Sequence, residues 1–369
     1  MKNHSLYHIT YSGNVIVEKN ILSRLAGMIN SDEELKDAPR LLFVIDRNIQ
    51  SSHPEIISQI LSGLRPNYAV VLIDAGFKLK SLYGVESLYK IFYEHNLKRD
   101  SVIVSVGGGT LCDAVGFASA TYIRGIKIIN IPTTLMSCAD PVLGKVAVNH
   151  LSQKNLIGTW FFPHLTLIDP VIIKKDSPRY FNTGISEIIK SAFINGKKTC
   201  DSLENDMGAL VNGDEEIVVK YLEMSIKTKI KLVKGDEQDN TGEQSKLSLG
   251  HNLADVLESK ASSEKLVTHG EAVALGMIFA ALVNDFLEHS DKSKELLDRT
   301  MRLIAASNLP DKIPFPITRE QIAEELLKSK KSRTGDIALV IVKDYGRVEI
   351  QEGISVSVIN MASDWLLSH

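Results

Sequence analysis

From about residue 40 the chain alternates short apolar runs with longer amphipathic segments. The segments 83–97 and 111–122 are of helix length. The apolar runs are of strand length and rich in β-branched residues, and they cover residues 41–45, 69–73, 102–106 and 126–131. Alternation of this kind predicts a parallel sheet covered by helices, whose ligands bind at the carboxyl ends of the strands.

Further along the chain the period of the apolar positions becomes helical. Strand signals are few until residues 337–342, and long amphipathic segments cover residues 215–233, 243–258, 271–287 and 293–306. The pairs Asp169-Pro170 and Ser177-Pro178 interrupt the pattern between the two halves. We therefore predict an α/β domain over residues 1–175 and a mostly α-helical domain over residues 176–369, and a length of 369 residues also favours two domains.

Composition and charge describe an ordinary globular protein. Apolar residues make up 44% and charged residues 24% of the chain, and 42 basic against 45 acidic residues give a formal charge of −3. This balance argues against a general nucleic-acid or acidic-membrane partner. The three cysteines have no paired short spacing, the N-terminus lacks a signal-peptide pattern and no apolar run approaches membrane-spanning length. The sequence thus predicts a cytoplasmic protein with free thiols and no membrane partner.

One predicted strand ends in a glycine turn. Residues 106–113 read Val-Gly-Gly-Gly-Thr-Leu-Cys-Asp, a strand followed by a turn and a helix. Glycines let the backbone approach a pyrophosphate, and a helix N-terminus offers it unpaired N–H groups. The standard dinucleotide fingerprint is not matched, because Cys112 takes the place of its third glycine and the candidate ribose carboxylate, Asp46, precedes the turn. The pattern predicts a non-standard Rossmann-like nucleotide site and argues against an ordinary Rossmann dehydrogenase.

Three potential metal ligands, Glu187, His251 and His269, each lie in a helix-like segment. One carboxylate and two imidazoles suit zinc or a similar divalent ion, and three protein ligands leave coordination positions open for catalysis. An isolated His or Glu is more often a solvated or satisfied residue. The combination with the glycine turn is what favours a metal site.

Further motifs accompany the turn and the three ligands in a fixed order: Thr121-Tyr-Ile-Arg-Gly125, Ile131-Pro-Thr-Thr-Leu135, Lys154-Asn-Leu-Ile-Gly158, Glu187-Ile-Ile-Lys190 and His269-Gly-Glu-Ala-Val-Ala-Leu-Gly-Met277. Together they resemble the motifs of the 3-dehydroquinate synthase family, which includes other sugar-phosphate cyclases. The resemblance implies an NAD-binding α/β domain, a mostly helical C-terminal domain with the active site between the two, a bound divalent ion and a homodimer.

The resemblance also implies roles for individual residues. Glu187, His251 and His269 are the expected ligands of Zn²⁺ or Co²⁺. The expected NAD contacts are Asp46, Lys80, Gly107, Gly108, Gly109, Asp113, Thr133, Thr134 and Lys154, the last of which also lines the substrate site. The expected catalytic residues are Asp140, Lys145, Lys190 and Lys229. The phosphorylated sugar is expected to contact Asn155, Lys330 or Lys331, and Arg124 from across the dimer interface.

The implied reaction proceeds in one pocket. NAD oxidises a secondary alcohol of a phosphorylated sugar, phosphate is eliminated, the ketone is reduced again and an aldol step closes a carbocycle. Glu187 and Lys190 are three residues apart and share a helix face. Lysines can stabilise the enolate and the leaving phosphate, which can itself take the proton.

Several positions depart from the 3-dehydroquinate synthase pattern. Asp255 replaces a histidine, Ser248 an asparagine and Phe77 a glutamate, Asp140 and Lys145 are one residue closer than usual, and Gln244 replaces an arginine if one inserted residue is allowed. A neutral Gln cannot replace the charge that pairs with a substrate carboxylate. The sequence therefore predicts a sugar phosphate without a carboxylate, as used by the 2-epi-5-epi-valiolone and 2-deoxy-scyllo-inosose synthases. The alternatives are a metal-dependent polyol dehydrogenase and a degenerate, non-catalytic homologue that serves as a binding protein.

Overall fold

In the computed structural model the chain divides into two compact units, Met1–Ser177 and Pro178–His369. The structure describes residues 5–9, 13–141, 143–151, 153–173, 176–234, 236, 238–261, 266–328 and 336–368. The first unit is built on a sheet, and the second is built mainly from helices.

The first unit is an α/β structure. Its helices are α1 (Leu25–Ser31), α2 (Arg47–Ser52), α3 (Pro54–Leu61), α4 (Leu82–Glu94), α5 (Gly109–Thr121), α6 (Leu135–Ala139) and α7 (Pro170–Ile173). Its strands are β1 (Ser5–Ile9), β2 (Gly13–Val17), β3 (Leu41–Asp46), β4 (Tyr68–Ile73), β5 (Val102–Gly107), β6 (Lys127–Pro132), β7 (Gly144–His150), β8 (Gln153–Phe161) and β9 (Leu165–Ile168).

Within the described ranges, seven of these strands form one sheet in the order β1-β2-β9-β6-β5-β3-β4. Every neighbouring pair in it is parallel except β1 with β2. Both faces of the sheet are covered, which explains why its strands read as continuous apolar runs: Phe43 and Ile45 enter one apolar cluster, and Leu42 and Val44 enter the other. The predicted parallel sheet covered by helices is confirmed.

The hairpin of β7 and β8 is not predicted by the pattern of apolar positions. The two strands pair antiparallel, with Lys145 directly opposite Trp160. Their inner face packs against α5 at Gly116, where an added Cβ would lie 2.7 Å from Cγ1 of Val146. Only glycine permits this approach of helix and hairpin. Asp140 follows α6 and Lys145 is the second residue of β7, so the turn into the hairpin lies between these two expected site residues.

The second unit is mostly helical, as predicted. Its helices are α8 (Pro178–Asn195), α9 (Lys197–Val211), α10 (Glu215–Val233), α11 (His251–Lys260), α12 (His269–Glu288), α13 (Asp291–Ala306), α14 (Arg319–Leu327) and α15 (Val356–Ser368). One antiparallel hairpin accompanies them, formed by β10 (Ile337–Asp344) and β11 (Arg347–Ile354).

The single helix predicted over residues 243–258 is wrong. A 3₁₀ turn over Glu243–Ser248 is followed by α11, and Gly250 between them has a φ of +82°. Gly250 also lies close to α12, because a Cβ added at Gly276 would come within 1.8 Å of the Gly250 carbonyl oxygen. Apolar periodicity continues through the break, but the left-handed backbone and the close packing both require glycine.

Helix α12 corrects the statement that no apolar run approaches membrane-spanning length. Among the described residues it is the one helix long and apolar enough to cross a membrane, with 20 residues and a mean hydropathy of 1.5 in its most apolar window. That window is 83% buried within the protein. A helix buried in the core of a protein has the same composition, so length and hydropathy alone are weak evidence for a membrane-spanning helix.

Candidate metal centre and nucleotide edge

Three helices of the second unit bring the predicted ligands together. Glu187 lies in the middle of α8 and is 1% exposed, whereas His251 and His269 are the first residues of α11 and α12. One ligand atom from each residue lies within 4.8 Å of the others. The two imidazole rings meet edge to face, with their centroids 5.2 Å apart. Such spacing allows one ion to contact all three side chains.

The hydrogen bond of His251 orients its ring. Nδ1 lies 3.2 Å from the carbonyl oxygen of Leu249, a distance at which the Nδ1–H donates. A neutral imidazole that donates through Nδ1 carries its lone pair on Nε2. Nε2 lies 3.8 Å from Oε1 of Glu187, so the lone pair is on the nitrogen close to the carboxylate ligand.

His269 is oriented by Glu258, a residue that the sequence interpretation missed. Nδ1 of His269 lies 3.2 Å from both carboxylate oxygens of Glu258, whose side chain is 4% exposed. A carboxylate that accepts from one ring nitrogen fixes the tautomer and makes the other nitrogen a better metal ligand. The available signal was position, because Glu258 follows His251 by seven residues, two turns along α11.

Lys190 contacts the ligand set directly. Its ammonium forms an ion pair with Oε2 of Glu187, and both side chains are almost fully buried. Beyond this ion pair, no hydrogen bond to either carboxylate oxygen of Glu187 comes from the described residues. A buried carboxylate so sparsely compensated is costly, and a divalent ion would offset that cost. The donor set and the burial of Glu187 therefore fit a bound divalent cation.

A second ion pair joins the helices that carry Glu187 and His269. Nε and Nη2 of Arg179, on α8, donate to the two carboxylate oxygens of Glu271 at 2.7 and 2.8 Å. Glu271 also accepts the backbone N–H of Thr268 in the capping box that begins α12. Burial raises the pKa of the Glu271 carboxyl, but the hydrogen bonds from Arg179 and Thr268 outweigh it, and the pKa is lowered. The contact fixes the start of α12, where His269 lies.

In the first unit, several of the expected NAD contacts lie at the carboxyl edge of the seven-stranded sheet. Asp46 ends β3 and Gly107 ends β5, and a Cβ added at Gly107 would lie 3.3 Å from Cβ of Asp46. The backbone N–H of Thr133 donates to the Gly107 carbonyl at 3.0 Å, and Gly108 faces Thr134. Helix α5 begins at Gly109, and the residue before it, Gly108, has no side chain that could cap the helix N-terminus. Its N-terminal N–H groups therefore suit a phosphate ligand.

Asp113 and Lys80 form an ion pair beside this edge, and both side chains are largely buried. The carbonyl of Lys80 accepts the backbone N–H of Asn149 at 2.9 Å, which ties the residue to β7. Burial raises the pKa of the Asp46 carboxyl, opposed by the hydrogen bond from the Asn48 backbone, and the neighbouring charge of Asp74 raises it further. Two carboxylates therefore lie near each other at this edge.

Comparison with known proteins separates family from fold. The model of the 3-dehydroquinate synthase N-terminal domain matches residues 70–183, and that of the C-terminal domain matches residues 184–332. The 3-dehydroquinate synthase of Prochlorococcus marinus (strain AS9601) is 35% identical over 342 residues, covering 90% of this chain and 93% of that protein. The chain belongs to the 3-dehydroquinate synthase family. The predicted family is thus confirmed, and the corresponding Synechocystis sp. synthase is 33% identical over 87% of the chain and 88% of its own length.

Solved structures at lower sequence identity share the fold. A 2-deoxy-scyllo-inosose synthase complexed with carbaglucose-6-phosphate, NAD⁺ and Co²⁺ aligns with a TM-score of 0.84 at 20% identity, covering 98% of this chain and 100% of that chain. The 2-epi-5-epi-valiolone synthase of Streptomyces hygroscopicus, with NAD⁺ and Zn²⁺ bound, gives 0.83 at 23% identity over 99% of both chains. A glycerol dehydrogenase from Schizosaccharomyces pombe gives 0.68 at 17% identity, covering 99% and 91%.

The departures from the 3-dehydroquinate synthase pattern have distinct surroundings. Gln244, at the expected arginine position, is 3% exposed, and its Nε2 donates to the carbonyl of Asp236 at 2.6 Å. The side-chain amide of Gln244 is thus hydrogen-bonded within the loop that joins Asp236 to the 3₁₀ turn. Asp255 is exposed on α11, Phe77 is exposed in the first unit, and Ser248 ends the 3₁₀ turn before Gly250.

The remaining expected residues of the 3-dehydroquinate synthase site are spread over both units. Lys145 is exposed, with Nζ 4.9 Å from the centroid of the Trp160 ring, and Lys154 is half-buried on β8. Asn155 has a φ of +51°, and its N–H donates to Oδ1 of Asn149 at 3.1 Å. Arg124 is exposed in a strained turn with a φ of +70°, and Lys229 is half-buried on α10. Lys330 and Lys331 lie outside the described residues.

Proposed function

We propose that this chain is a sugar-phosphate cyclase dependent on NAD and a divalent metal ion, and that it works as a homodimer in the cytoplasm. The observation that carries the proposal is the convergence of Glu187, His251 and His269 within 4.8 Å, beside a buried lysine. The chain supplies a matching nucleotide edge in its first unit. The NAD⁺ and the Co²⁺ or Zn²⁺ bound by the inosose and valiolone synthases support both cofactors.

Glu187, His251 and His269 would hold the ion, which when bound supplies Lewis acidity toward the substrate oxygens. Glu258 keeps the ring of His269 in the tautomer that offers Nε2. Lys190 forms an ion pair with Glu187, and both side chains are almost fully buried. A preorganised cation of this kind stabilises developing negative charge on an enolate or on a leaving phosphate.

The nucleotide edge has a separate task. The glycine turn of residues 107–109 and the N-terminus of α5 would hold the pyrophosphate, and Asp46 would accept hydrogen bonds from ribose hydroxyls. Lys80 and Asp113 brace the turn through their ion pair. In this proposal the substrate contacts Lys145 on β7 and Lys154 and Asn155 on β8. Asp140, which precedes β7 in the chain, lines the same site. The departing phosphate can accept the proton released in elimination, so no separate histidine base is needed.

The substrate class follows from charge. A substrate carboxylate needs a cation, and the side chain at the position of the family's arginine is the neutral amide of Gln244, which already bonds within its own loop. We therefore infer a phosphorylated sugar without a carboxylate. The curated relatives compared above are 3-dehydroquinate synthases, so the carboxylated seven-carbon sugar phosphate is included in the test below.

A polyol dehydrogenase is the second candidate, favoured by the fold shared with the Schizosaccharomyces pombe glycerol dehydrogenase. Lys190 argues against it, because a dehydrogenase has no phosphate to expel and little use for a buried ammonium beside its metal site. The converged ligand set likewise argues against a degenerate binding protein.

Phosphate release by the purified full chain tests the proposal. The protein is incubated with NAD⁺ and Zn²⁺ or Co²⁺ and, in turn, 3-deoxy-arabino-heptulosonate 7-phosphate, sedoheptulose 7-phosphate and glucose 6-phosphate. Release of inorganic phosphate from one of the two uncarboxylated sugars, without accumulation of NADH, is the expected result. Release only from the carboxylated sugar would overturn the substrate class. No phosphate release from any of the three, with net NADH formation in a parallel incubation with glycerol, would favour the dehydrogenase.

A further inference from the structure

Two carboxylates and one guanidinium meet where β3 and β4 end. The strands are parallel neighbours, and Asp46 pairs with Ile73, so Asp74 comes directly after the paired residue. The carboxylate of Asp46 accepts the N–H of Asn48 at 3.0 Å and begins α2. Arg47, the first residue of α2, therefore lies next to Asp46 at the end of β3.

Arg47 is directed to the β4 side of this edge. Its Nε donates to Oδ1 of Asp74 at 2.8 Å, and its Nη2 donates to the carbonyl of Leu72 at 3.3 Å. The side chains of Arg47 and Asp74 are 55% and 83% exposed. An ion pair so well solvated contributes little to stability, so its loss should not unfold the protein. The effect of the ion pair is to determine where the positive charge of Arg47 lies.

Dinucleotide sites distinguish NAD from NADP at the 2′ position of the adenosine ribose. A carboxylate accepts the 2′-hydroxyl of NAD, whereas a nearby arginine accommodates the 2′-phosphate of NADP. This chain places both kinds of residue next to each other, because Asp46 and Arg47 are adjacent at the strand end. Whether the site favours NAD or NADP therefore depends on whether the Arg47 guanidinium can turn toward the ribose.

We propose that Asp74 sets the preference for NAD over NADP by holding the Arg47 guanidinium on β4 and by adding a second negative charge beside Asp46. The inference rests on the proposed nucleotide site of the first unit. A 2′-phosphate carries close to two negative charges and would be repelled by both carboxylates while the arginine is held away. With Asp74 neutralised, Arg47 is released and one repulsive charge disappears.

Equilibrium binding of NAD⁺ and NADP⁺ to the full chain tests this, with Asp74→Asn, Arg47→Ala and the double variant. We expect Asp74→Asn to tighten NADP⁺ binding roughly tenfold, as one charge-assisted phosphate contact provides, and to change NAD⁺ binding far less. Because the larger part of the gain needs the arginine, Asp74→Asn should tighten NADP⁺ binding much less in the Arg47→Ala background, where only the removal of a repulsive charge is left. The gain should also shrink at high salt, since both groups are exposed.

Asp100→Asn is the matched control. It removes the same charge from an exposed residue at the amino end of β5, the opposite edge of the sheet, and should leave the NADP⁺ to NAD⁺ ratio unchanged. An unchanged ratio in Asp74→Asn overturns the role of Asp74, and an equally large gain in the Arg47→Ala background overturns its hold on the arginine. Wild-type protein that binds neither cofactor would overturn the nucleotide site itself, which is a distinct outcome.

Discussion

Nδ1 of His269 lies 3.2 Å from both carboxylate oxygens of Glu258, and this contact determines which ring nitrogen can bind a metal ion. Replacing Glu258 with Gln removes the charge and leaves the rest of the side chain in place. We expect metal affinity to fall roughly 10- to 100-fold, as for other carboxylates that orient a ligating histidine. Competition with a chromophoric chelator measures this without reference to turnover.

Glu352→Gln is the control for the Glu258 variant. Glu352 is exposed on β11 and undergoes the same change of charge far from the start of α12 in sequence. Unaltered metal affinity in Glu258→Gln, or an equal loss in Glu352→Gln, would show that the Glu258 contact does not tune the site.

His269→Ala should abolish phosphate release and tight metal binding while leaving the fold intact. The imidazole is 39% exposed, but its truncation removes a partner of the buried Glu258 carboxylate, so we expect the free energy of unfolding to fall by about 1–3 kcal/mol without loss of the fold. Circular dichroism and phosphate release measure the two effects. His289→Asn, at the other end of α12, is the control because Asn accepts its left-handed backbone, where φ is +48°. Wild-type activity in His269→Ala after metal removal would contradict the metal centre.

Parts of this fold could be predicted because both faces of the sheet are buried. Strand β3 reads as an unbroken apolar run, and its boundaries were right to within one residue. The hairpin of β7 and β8 escaped prediction because its exposed face mixes polar and aromatic residues, as in the pair of Lys145 and Trp160. Its strand character depends on packing against α5, which local sequence does not report.

Some residues of the candidate site could likewise be predicted from the sequence, and others could not. Glu187, His251 and His269 could be chosen because ligand chemistry restricts the residue types and each lies beside a distinctive motif. Glu258 could not, because an acidic residue on an amphipathic helix resembles any solvated one until its burial is known. The surroundings of Gln244 depend on the loop containing Asp236, whose backbone carbonyl carries no sequence signal.

Gln244→Arg should destabilise the second unit instead of creating a carboxylate site. The longer side chain must fit where Gln244 is 3% exposed, and the hydrogen bond to Asp236 is lost. We expect a cost of about 1–3 kcal/mol, seen as a lower melting temperature. Lys246→Arg, in the same 3₁₀ turn, keeps its charge and should melt close to wild type. A Gln244→Arg variant that melts like wild type would show that neither the burial of Gln244 nor its hydrogen bond to Asp236 stabilises this loop.

Arg124→Ala tests the proposed phosphate contact across the homodimer. The substitution leaves the left-handed backbone at φ +70° as strained as before, so the side chain alone is removed. We expect KM for the sugar phosphate to rise roughly 10- to 100-fold, the worth of one charged hydrogen bond, with NAD⁺ affinity nearly unchanged. Arg65→Ala, another exposed arginine of the first unit, is the control. An equal loss of substrate and NAD⁺ binding would argue against this role.

The ion pair of Arg179 with Glu271 should make the stability of metal-free protein depend on pH in a defined direction. Because the folded protein lowers the pKa of Glu271 below its ordinary 4.5, the pair stabilises above that value and is lost as the pH falls through the folded pKa. Arg179→Met should therefore lower the free energy of unfolding at pH 7 by about 1 kcal/mol, since Arg179 is half exposed, and its stability should converge with that of the wild type in acid. Arg319→Met breaks a pair whose carboxylate, Asp364, is 53% exposed compared with 11% for Glu271, so it should change neither the stability at pH 7 nor its pH dependence. A difference between Arg179→Met and wild type that persists unchanged well below pH 4.5 would mean that packing of the arginine, and not its charge, holds the start of α12.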